Sequence, residues 1–412
     1  MSDFRVVVCG GGIAAVEGLL RLRRLAGDSV DIELVAPNDE LAYRPMAVRQ
    51  PFAFGPPRRY PLRVIARDTG AAWAQDSLAW VDPSARSVHT ASGRSVQYDA
   101  LLVAVGARQM EPYEHVATFR DADADAAYQG VVQDIEGGYA RRLAFIQPVG
   151  PVWPLPLYEL ALMTAERAES MDIRDLRLSL VTPEPRPLAV FGTAVSEVVT
   201  NRLARAGVKV YTDSLAKVPA KRKLVIQPQN IELEEQRIVT MPRVAGPSIR
   251  GLPGGGAHGF IPIDEHARVV GLRDVYCAGD AANYPVKQGG LAAQQADAAA
   301  LLEAARAGAA VRAEPFRPVL RGRLMTGDGD EYFVRELRRP VGRLEEGRLW
   351  WPPTKVSGRY LTPWIASEDP GVSAPELTQG APIERELPSD PAAARREIMS
   401  SLGPPVPQRS WG

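Results

Sequence analysis

The sequence predicts an α/β fold in which βαβ units surround parallel sheets. Three observations carry this expectation. Residues 4–26 read as strand, glycine turn and helix. Residues 98–107, YDALLVAVGA, read as another buried strand that ends in glycine. Residues 143–182 repeat a strand-turn-helix-strand outline. Short β-branched runs alternating with helical periods are the pattern a parallel sheet requires.

In the first unit, Val6-Val7-Val8-Cys9 is too short for a helix and rich in β-branched residues, as expected of a strand buried on both faces. Gly10-Gly11-Gly12 ends it, and from Ile13 the apolar residues recur at helical spacing. The result is G-x-G-x-x-A, with Gly10, Gly12 and Ala15 in the key places. Gly10 permits a tight turn, Gly12 lets a pyrophosphate approach the backbone, and Ala15 lets the helix pack on the strand. The helix start, with Ile13 and Ala14, offers free N–H groups and a positive dipole end to the phosphates. The next strand, Ile32 to Val35, should end in an acidic residue for the adenosine ribose. Ala36 stands there instead, followed by Pro37, Asn38 and Asp39. Asn38 or Asp39 is then the ribose candidate, and the departure weakens NAD at this site more than FAD.

The chain has 412 residues, enough for two or three domains. Lys plus Arg and Asp plus Glu are 49 each, so no global charge argues for nucleic acid. A strand that begins at once leads to the expectation of no signal peptide, and no apolar run is long enough to cross a membrane. The two cysteines, Cys9 and Cys277, both fall on apolar strands. They read as buried packing residues of a protein from a reduced compartment.

Further along, Arg44-Pro45 in an aromatic setting is either a loop against a cofactor or a surface turn. Residues 72–89 alternate like two strands joined at Asp82-Pro83, a small sheet inserted in the main domain. The strand at 98–107 brings Ala104 and Gly106 to where backbone can approach a ligand. The strand at Leu143 leads into Pro148 to Pro156, where four of nine residues are prolines. Prolines have no N–H to give a phosphate, and Trp153 takes the space of a nicotinamide. A helix over 157–168 follows, then a strand over 176–181 that ends in Thr182 rather than an acid. This middle region keeps the outline of a dinucleotide unit and lacks the groups that hold NAD(P)H. Residues 249–269 read as a glycine loop and a hairpin-like pair. Residues 272–281 form a buried strand leading into Gly279-Asp280. Lys287-Gln288-Gly289-Gly290 precedes a long alanine-rich helix over 291–307. From Ser367 the chain is rich in Pro, Ser and charge, which predicts a disordered tail.

Four features stand in one order: G-x-G-x-x-A at 10–15, YDALLVAVGA at 98–107, the degenerate unit at 143–182, and VYCAGDAANYPVKQGGLAAQQA at 275–296. This order resembles the two-dinucleotide-binding-domain flavoproteins, the pyridine nucleotide-disulfide oxidoreductase class, over residues 4 to 312. The resemblance implies two Rossmann-like βαβ domains, the first split by the second, plus a small C-terminal domain. The boundaries implied are 1–110 and 246–312 for the FAD-binding domain, 111–245 for a degenerate NAD(P)-binding-like domain, 313–366 for a C-terminal capping region, and 367–412 for the tail. In that class the Gly-Asp segment holds the flavin ribityl chain, which points to Asp280 here. The following helix aims its start at the flavin pyrimidine, which points to Lys287 through Gly290, with Gln288 and Gly289 among them.

The chain is similar to the sulfide:quinone oxidoreductase and flavocytochrome c sulfide dehydrogenase branch in LVAPNDELAYRP, FIQPVGPVWPLPLYE and LSLVTPEPRPLAVFG. That branch carries redox cysteines, and the place of one of them is Trp153 here. The resemblance thus implies non-covalent FAD without a redox disulfide. The acceptor it implies is a quinone, another small molecule or a protein carrier, and a homodimer is compatible with the class. The cytoplasm is the expected location, with peripheral contact to the inner face of the membrane as a further option. Type II NADH dehydrogenases and ferredoxin reductases form the alternative, and a flavin-binding sensor without turnover is a third.

Glu159 is either a favourable charge in the first turn of its helix or a proton relay beside flavin or quinone. The other catalytic candidate is Lys287, which the resemblance sets beside the flavin as a charge that stabilises its reduced form. Four histidines, at 89, 115, 258 and 266, show no metal-ligand spacing, so no metal site is expected. LWWPPTKVSGRYLTPWIA at 349–366 either closes the core of a C-terminal domain or offers an aromatic edge beside Lys355 and Arg359 to a quinone or an anionic membrane.

Overall fold

The computed structural model describes residues 4–120, 128–256, 258–324, 331–332, 355–356, 358–368, 383–386, 388 and 390–402. Trp350 and Trp351 lie outside the described residues.

Two five-stranded parallel sheets form the frame. In the first, the strand order is Val275–Cys277, Ala100–Val103, Arg5–Cys9, Asp31–Ala36, Ala72–Gln75. Arg5–Cys9 is central: Val7 lies between Glu33 and Leu101. Val6 through Cys9 are fully buried, as the β-branched run predicts. The second sheet runs Ala117–Thr118, Arg237–Thr240, Arg142–Ile146, Arg177–Val181, Val208–Tyr211. Strand Val275–Cys277 returns to the first sheet after the second is complete, so the first unit is split by the middle one.

Helices Ile13–Ala26 and Gly289–Arg306 pack on each other against the first sheet. Gly18 sits at their crossing, where an added Cβ would stand 2.7 Å from a Leu102 methyl and 3.5 Å from the Ala296 Cβ. The alanine-rich stretch of the second helix is thus packing surface, with Ala296, Ala299 and Ala300 buried in the core.

Three expectations are corrected. Ala72–Gln75 does not belong to the small inserted sheet. It extends the parallel sheet beside Asp31–Ala36, while Leu78–Asp82, Ser87–Thr90 and Ser95–Gln97 make the insert. Four residues are too few to show which sheet they join. Second, the 157–168 helix spans Leu155–Ser170, because Pro156 fits at a helix start. Glu159 is therefore past the first turn, and the first turn holds no acid. Third, two parts of the stretch expected to be disordered have regular structure. Ile383–Glu386 pairs antiparallel with Val319–Leu324, and Pro391–Leu402 forms a helix with Ala394 buried.

Candidate functional site

A cleft opens at the carboxyl ends of the first sheet, facing the middle domain, with about 1520 Å³ of unfilled space out to its mouth. Of the candidate residues, all except Gly10, Ala15, Asn38 and Glu159 line it.

The first wall is the glycine turn. Gly12 caps Ile13–Ala26 with no side-chain hydrogen bond, and no acid stands in the first turn. The opening N–H groups of the helix are thus left to a ligand at Gly12, Ile13 and Ala14. Gly10 works from behind. Its φ is +129°, and a Cβ there would lie 2.2 Å from the Ala104 carbonyl oxygen. Only glycine lets the turns at 10 and 104 meet, which places Ala104 and Gly106 on the cleft. Ala15 is buried in the core. Asn38 is exposed in the turn after Asp31–Ala36 and stays off the cleft wall.

The opposite wall carries Gly279 and Asp280. Gly279 has φ +78°, its N–H donates to Gln295 Oε1 at 2.8 Å, and it fits between Ala14 and Ala292. Among the described residues the Asp280 carboxylate accepts no hydrogen bond. Burial pushes its pKa up, and the charges of Lys287 and Arg44 oppose that shift. Arg44 and Pro45, at the start of the 3-10 helix Arg44–Phe52, border the same space.

Lys287 touches the cleft, but its ammonium serves the turn. Nζ donates to the carbonyl oxygens of Asp280 (3.1 Å) and Ala282 and lies 3.6 Å from the Phe260 ring centre. Burial pushes its pKa down to about 8. Gln288 caps Gly289–Arg306, its Oε1 accepting from Leu291 N–H at 2.9 Å.

Glu159 is fully buried and forms an ion pair with Lys355, which lines the cleft. Residues 355–356 and 358–368 run across the first domain as a strap. Val356 N–H donates to Tyr43 Oη at 2.8 Å. The N–H groups of Tyr360 and Leu361 donate to the Glu17 carboxylate at 2.9 and 2.6 Å. Trp364 Nε1 donates to Asp68 at 3.1 Å, and its ring meets Tyr60 edge-on. The described part of the aromatic segment thus packs on the first domain, with Leu361 and Ile365 in the core.

Trp153 lines the cleft, edge-on to Phe191 at 5.8 Å. Both thiols are fully buried, and desolvation pushes Cys9 and Cys277 up to about 12. At neutral pH they are protonated and inert.

The crevice of the middle sheet is occupied by its own polar side chains. Thr182 Oγ1 donates to Gln147 Oε1 at 2.8 Å, and Tyr158 Oη donates to Glu184 at 2.8 Å. Glu184 stands two residues past Thr182, but burial pushes its pKa up to about 7 and Tyr158 occupies it.

Sequence reasoning missed Glu17, Val356, Arg321 and Arg323, which support or line the cleft. For the arginines a signal existed: VLRGRL alternates with period two.

No protein-family model matches the chain. Solved structures share its fold. A sulfide:quinone oxidoreductase from the hyperthermophilic bacterium Aquifex aeolicus aligns at TM-score 0.68 and 20% identity, over 77% of this chain and 81% of that one. A ferredoxin reductase from Rhodopseudomonas palustris aligns at TM-score 0.58 and 19% identity, over 77% and 80%. A NAD-dependent persulfide reductase from A. fulgidus aligns at TM-score 0.56 and 19% identity, over 79% and 63%.

Proposed function

We propose that this chain is an FAD-dependent oxidoreductase that holds FAD without a covalent bond and passes its electrons to a quinone or a protein carrier. One observation carries the reading. The uncapped start of Ile13–Ala26 and Asp280, whose carboxylate accepts no hydrogen bond among the described residues, line one cleft. The first suits a pyrophosphate and the second suits a sugar-alcohol hydroxyl, and FAD contains both. The flavin supplies the electron-transfer chemistry when bound.

This chain's own residues then have separable tasks. Gly12 to Ala14 receive the pyrophosphate through N–H groups. Asp280 accepts from the ribityl chain, and Lys287 holds the turn that aims it. Gln288 and Gly289 lie at the flavin end, and the Lys355–Glu159 ion pair borders the cleft. The inert thiols leave no place for a dithiol step, and the filled middle crevice argues against NAD(P)H as donor. The fold shared with a sulfide:quinone oxidoreductase supports quinone among the acceptors. Among the described residues no helix is long and apolar enough to cross a membrane, so contact with a membrane quinone would be peripheral.

The purified protein should be yellow and release FAD on denaturation, identified by mass. Anaerobic NADH or NADPH should reduce it slowly or not at all. Release of no flavin overturns the proposal. Saturable reduction by micromolar NADH replaces it with a dehydrogenase.

A further inference from the structure

We propose that the C-terminal helix Pro391–Leu402, with the strand Ile383–Glu386 before it, is a clasp belonging to the flavin site: it fastens the turn that carries Asp280 to the middle domain, and the hold on FAD depends on it. The inference rests on the flavin reading for what that turn binds.

The turn is one bonded unit. Ala282 N–H donates to the Gly279 carbonyl at 3.0 Å, and Tyr284 N–H donates to the Ala282 carbonyl at 2.8 Å. Ile261 N–H donates to the Ala281 carbonyl at 3.0 Å, and Asn283 N–H donates to the Ile261 carbonyl at 2.7 Å. Lys287 holds the carbonyl oxygens of Asp280 and Ala282 from inside. Asn283 and Tyr284 therefore cannot shift without the residues that carry Asp280.

The clasp takes those two residues from outside. Arg395 Nη2 donates to Asn283 Oδ1 at 2.9 Å, and Tyr284 Oη donates to the Pro388 carbonyl at 3.1 Å. Burial first, and the Arg395 charge after it, hold the Lys287 pKa down against Asp280 and Cys277, so the helix acts on the lysine beneath the turn as well. Asp390 starts the helix by accepting from the N–H groups of Ala392 and Ala393 at 3.2 and 2.9 Å.

The same helix reaches the middle domain. Ala394 is fully buried in the cluster that holds Tyr284, Phe316 and Phe191, and the helix packs on Ala189–Phe191. Phe191 backs Trp153 on the cleft wall, with ring centres 5.8 Å apart. Upstream, Ile383 pairs with Gly322, where an added Cβ would stand 2.7 Å from the Phe191 ring. One short segment thus touches the Asp280 turn, the strand beside it and the wall across the cleft. The domains are also joined where the chain crosses between them, Arg108–Met110 pairing with Arg243–Ala245. A two-stranded ribbon is a weak constraint by itself, and the clasp closes the arrangement at a second place.

The full-length protein tests this with its own flavin as the probe. FAD release is followed by the rise in flavin fluorescence on dilution, and mobility of the turn by hydrogen–deuterium exchange over 279–284. Ala394→Glu puts a charge into the buried contact and should undock the helix, so that FAD release and exchange at 279–284 both speed up about tenfold. Arg395→Ala and Asn283→Ala should each speed release about threefold, and the double variant no more than either alone, since both remove one contact. Arg395→Lys should restore part of the hold. Arg396→Ala, on the same helix with its side chain 74% exposed, should behave as the native protein. A lower melting temperature in Ala394→Glu with release and exchange unchanged overturns the inference and makes the segment packing only. So does additivity of Arg395→Ala and Asn283→Ala. A preparation without flavin sinks the proposed function instead, and exchange at 279–284 then decides the clasp alone.

Discussion

The ammonium of Lys355 is paired with the carboxylate of Glu159, 196 residues earlier, with side chains 6% and 0% exposed. The pair joins the strap to the middle domain at the edge of the cleft. Removing one partner strands a buried charge, which typically costs about 3–5 kcal/mol. Glu159→Gln should therefore lower the melting temperature while FAD stays bound. Adding Lys355→Met should recover most of the loss, because both charges are then gone. If the pair also relays protons, the pH profile of flavin reoxidation by a quinone shifts in Glu159→Gln. An unchanged profile with lowered stability would make the pair a tether only.

Asp280→Ala should weaken FAD binding. A charge-assisted hydrogen bond contributes about 1.5–3 kcal/mol, or roughly 10–100-fold in affinity. Asp280→Asn should fall between, since it keeps an acceptor without the charge. Flavin occupancy after exhaustive dialysis reads this directly, and unchanged occupancy in the Ala variant removes Asp280 from the site.

The first unit was legible because its chemistry is local. Gly10, Gly12 and Ala15 lie within one turn, and the structural demand on each is visible in sequence. The same holds for Gly279-Asp280, where turn and acid are adjacent. The destination of Lys287 was not legible: its position predicted a flavin-facing charge, yet its ammonium turns to the carbonyl oxygens of its own loop. The partner of Glu159 and the role of Glu17 were hidden for a different reason. Each depends on a segment more than a hundred residues away, and no periodicity records such a pairing. Ala72–Gln75 went to the wrong sheet because a short strand carries no mark of its neighbour.

Glu303 carries a pH prediction. It is fully buried, neither carboxyl oxygen has a hydrogen-bond partner among the described residues, and burial pushes its pKa up to about 8, with Arg306 opposing. The folded state thus holds a proton that the unfolded chain releases near its ordinary value of 4.5. Its contribution to stability is full below that value and is lost as pH rises through about 8. The loss is up to about 5 kcal/mol at 1.36 kcal/mol per unit. Glu303→Gln should flatten the fall in stability between pH 5 and pH 9, measured by urea unfolding. A parallel fall in both proteins would assign it to other groups.

The last prediction concerns the latch between Glu17 and the strap. Glu17 is fully buried on Ile13–Ala26, and its carboxylate accepts the N–H groups of Tyr360 and Leu361, at the start of Leu361–Glu368. Gly358 fits against it, since a Cβ there would stand 2.6 Å from Oε2. Burial first, and the Asp297 charge second, push the Glu17 pKa up, while the strap N–H groups push it down. Arg21 pairs with Asp297 at 3.1 Å, and Arg359 also acts on Asp297. The net shift is upward against the free group, yet the strap's own N–H groups favour the ionised form. The strap is therefore held by charge-assisted hydrogen bonds to the Glu17 carboxylate. Val356 goes with the strap, and it packs at Gly289 on the cleft wall, where an added Cβ would meet its Cγ2 at 2.8 Å. Opening the strap should speed FAD release. Limited proteolysis within 358–368 should be slow in the native protein. Glu17→Gln, which keeps an acceptor without the charge, should be cleaved faster. Glu17→Ala leaves two N–H groups without their acceptor, at about 1–3 kcal/mol each where they stay dry, so it should be cleaved rapidly. Equal cleavage rates in all three proteins would show that the strap is held by Trp364, Leu361 and Ile365 alone, with Glu17 contributing nothing to its closure.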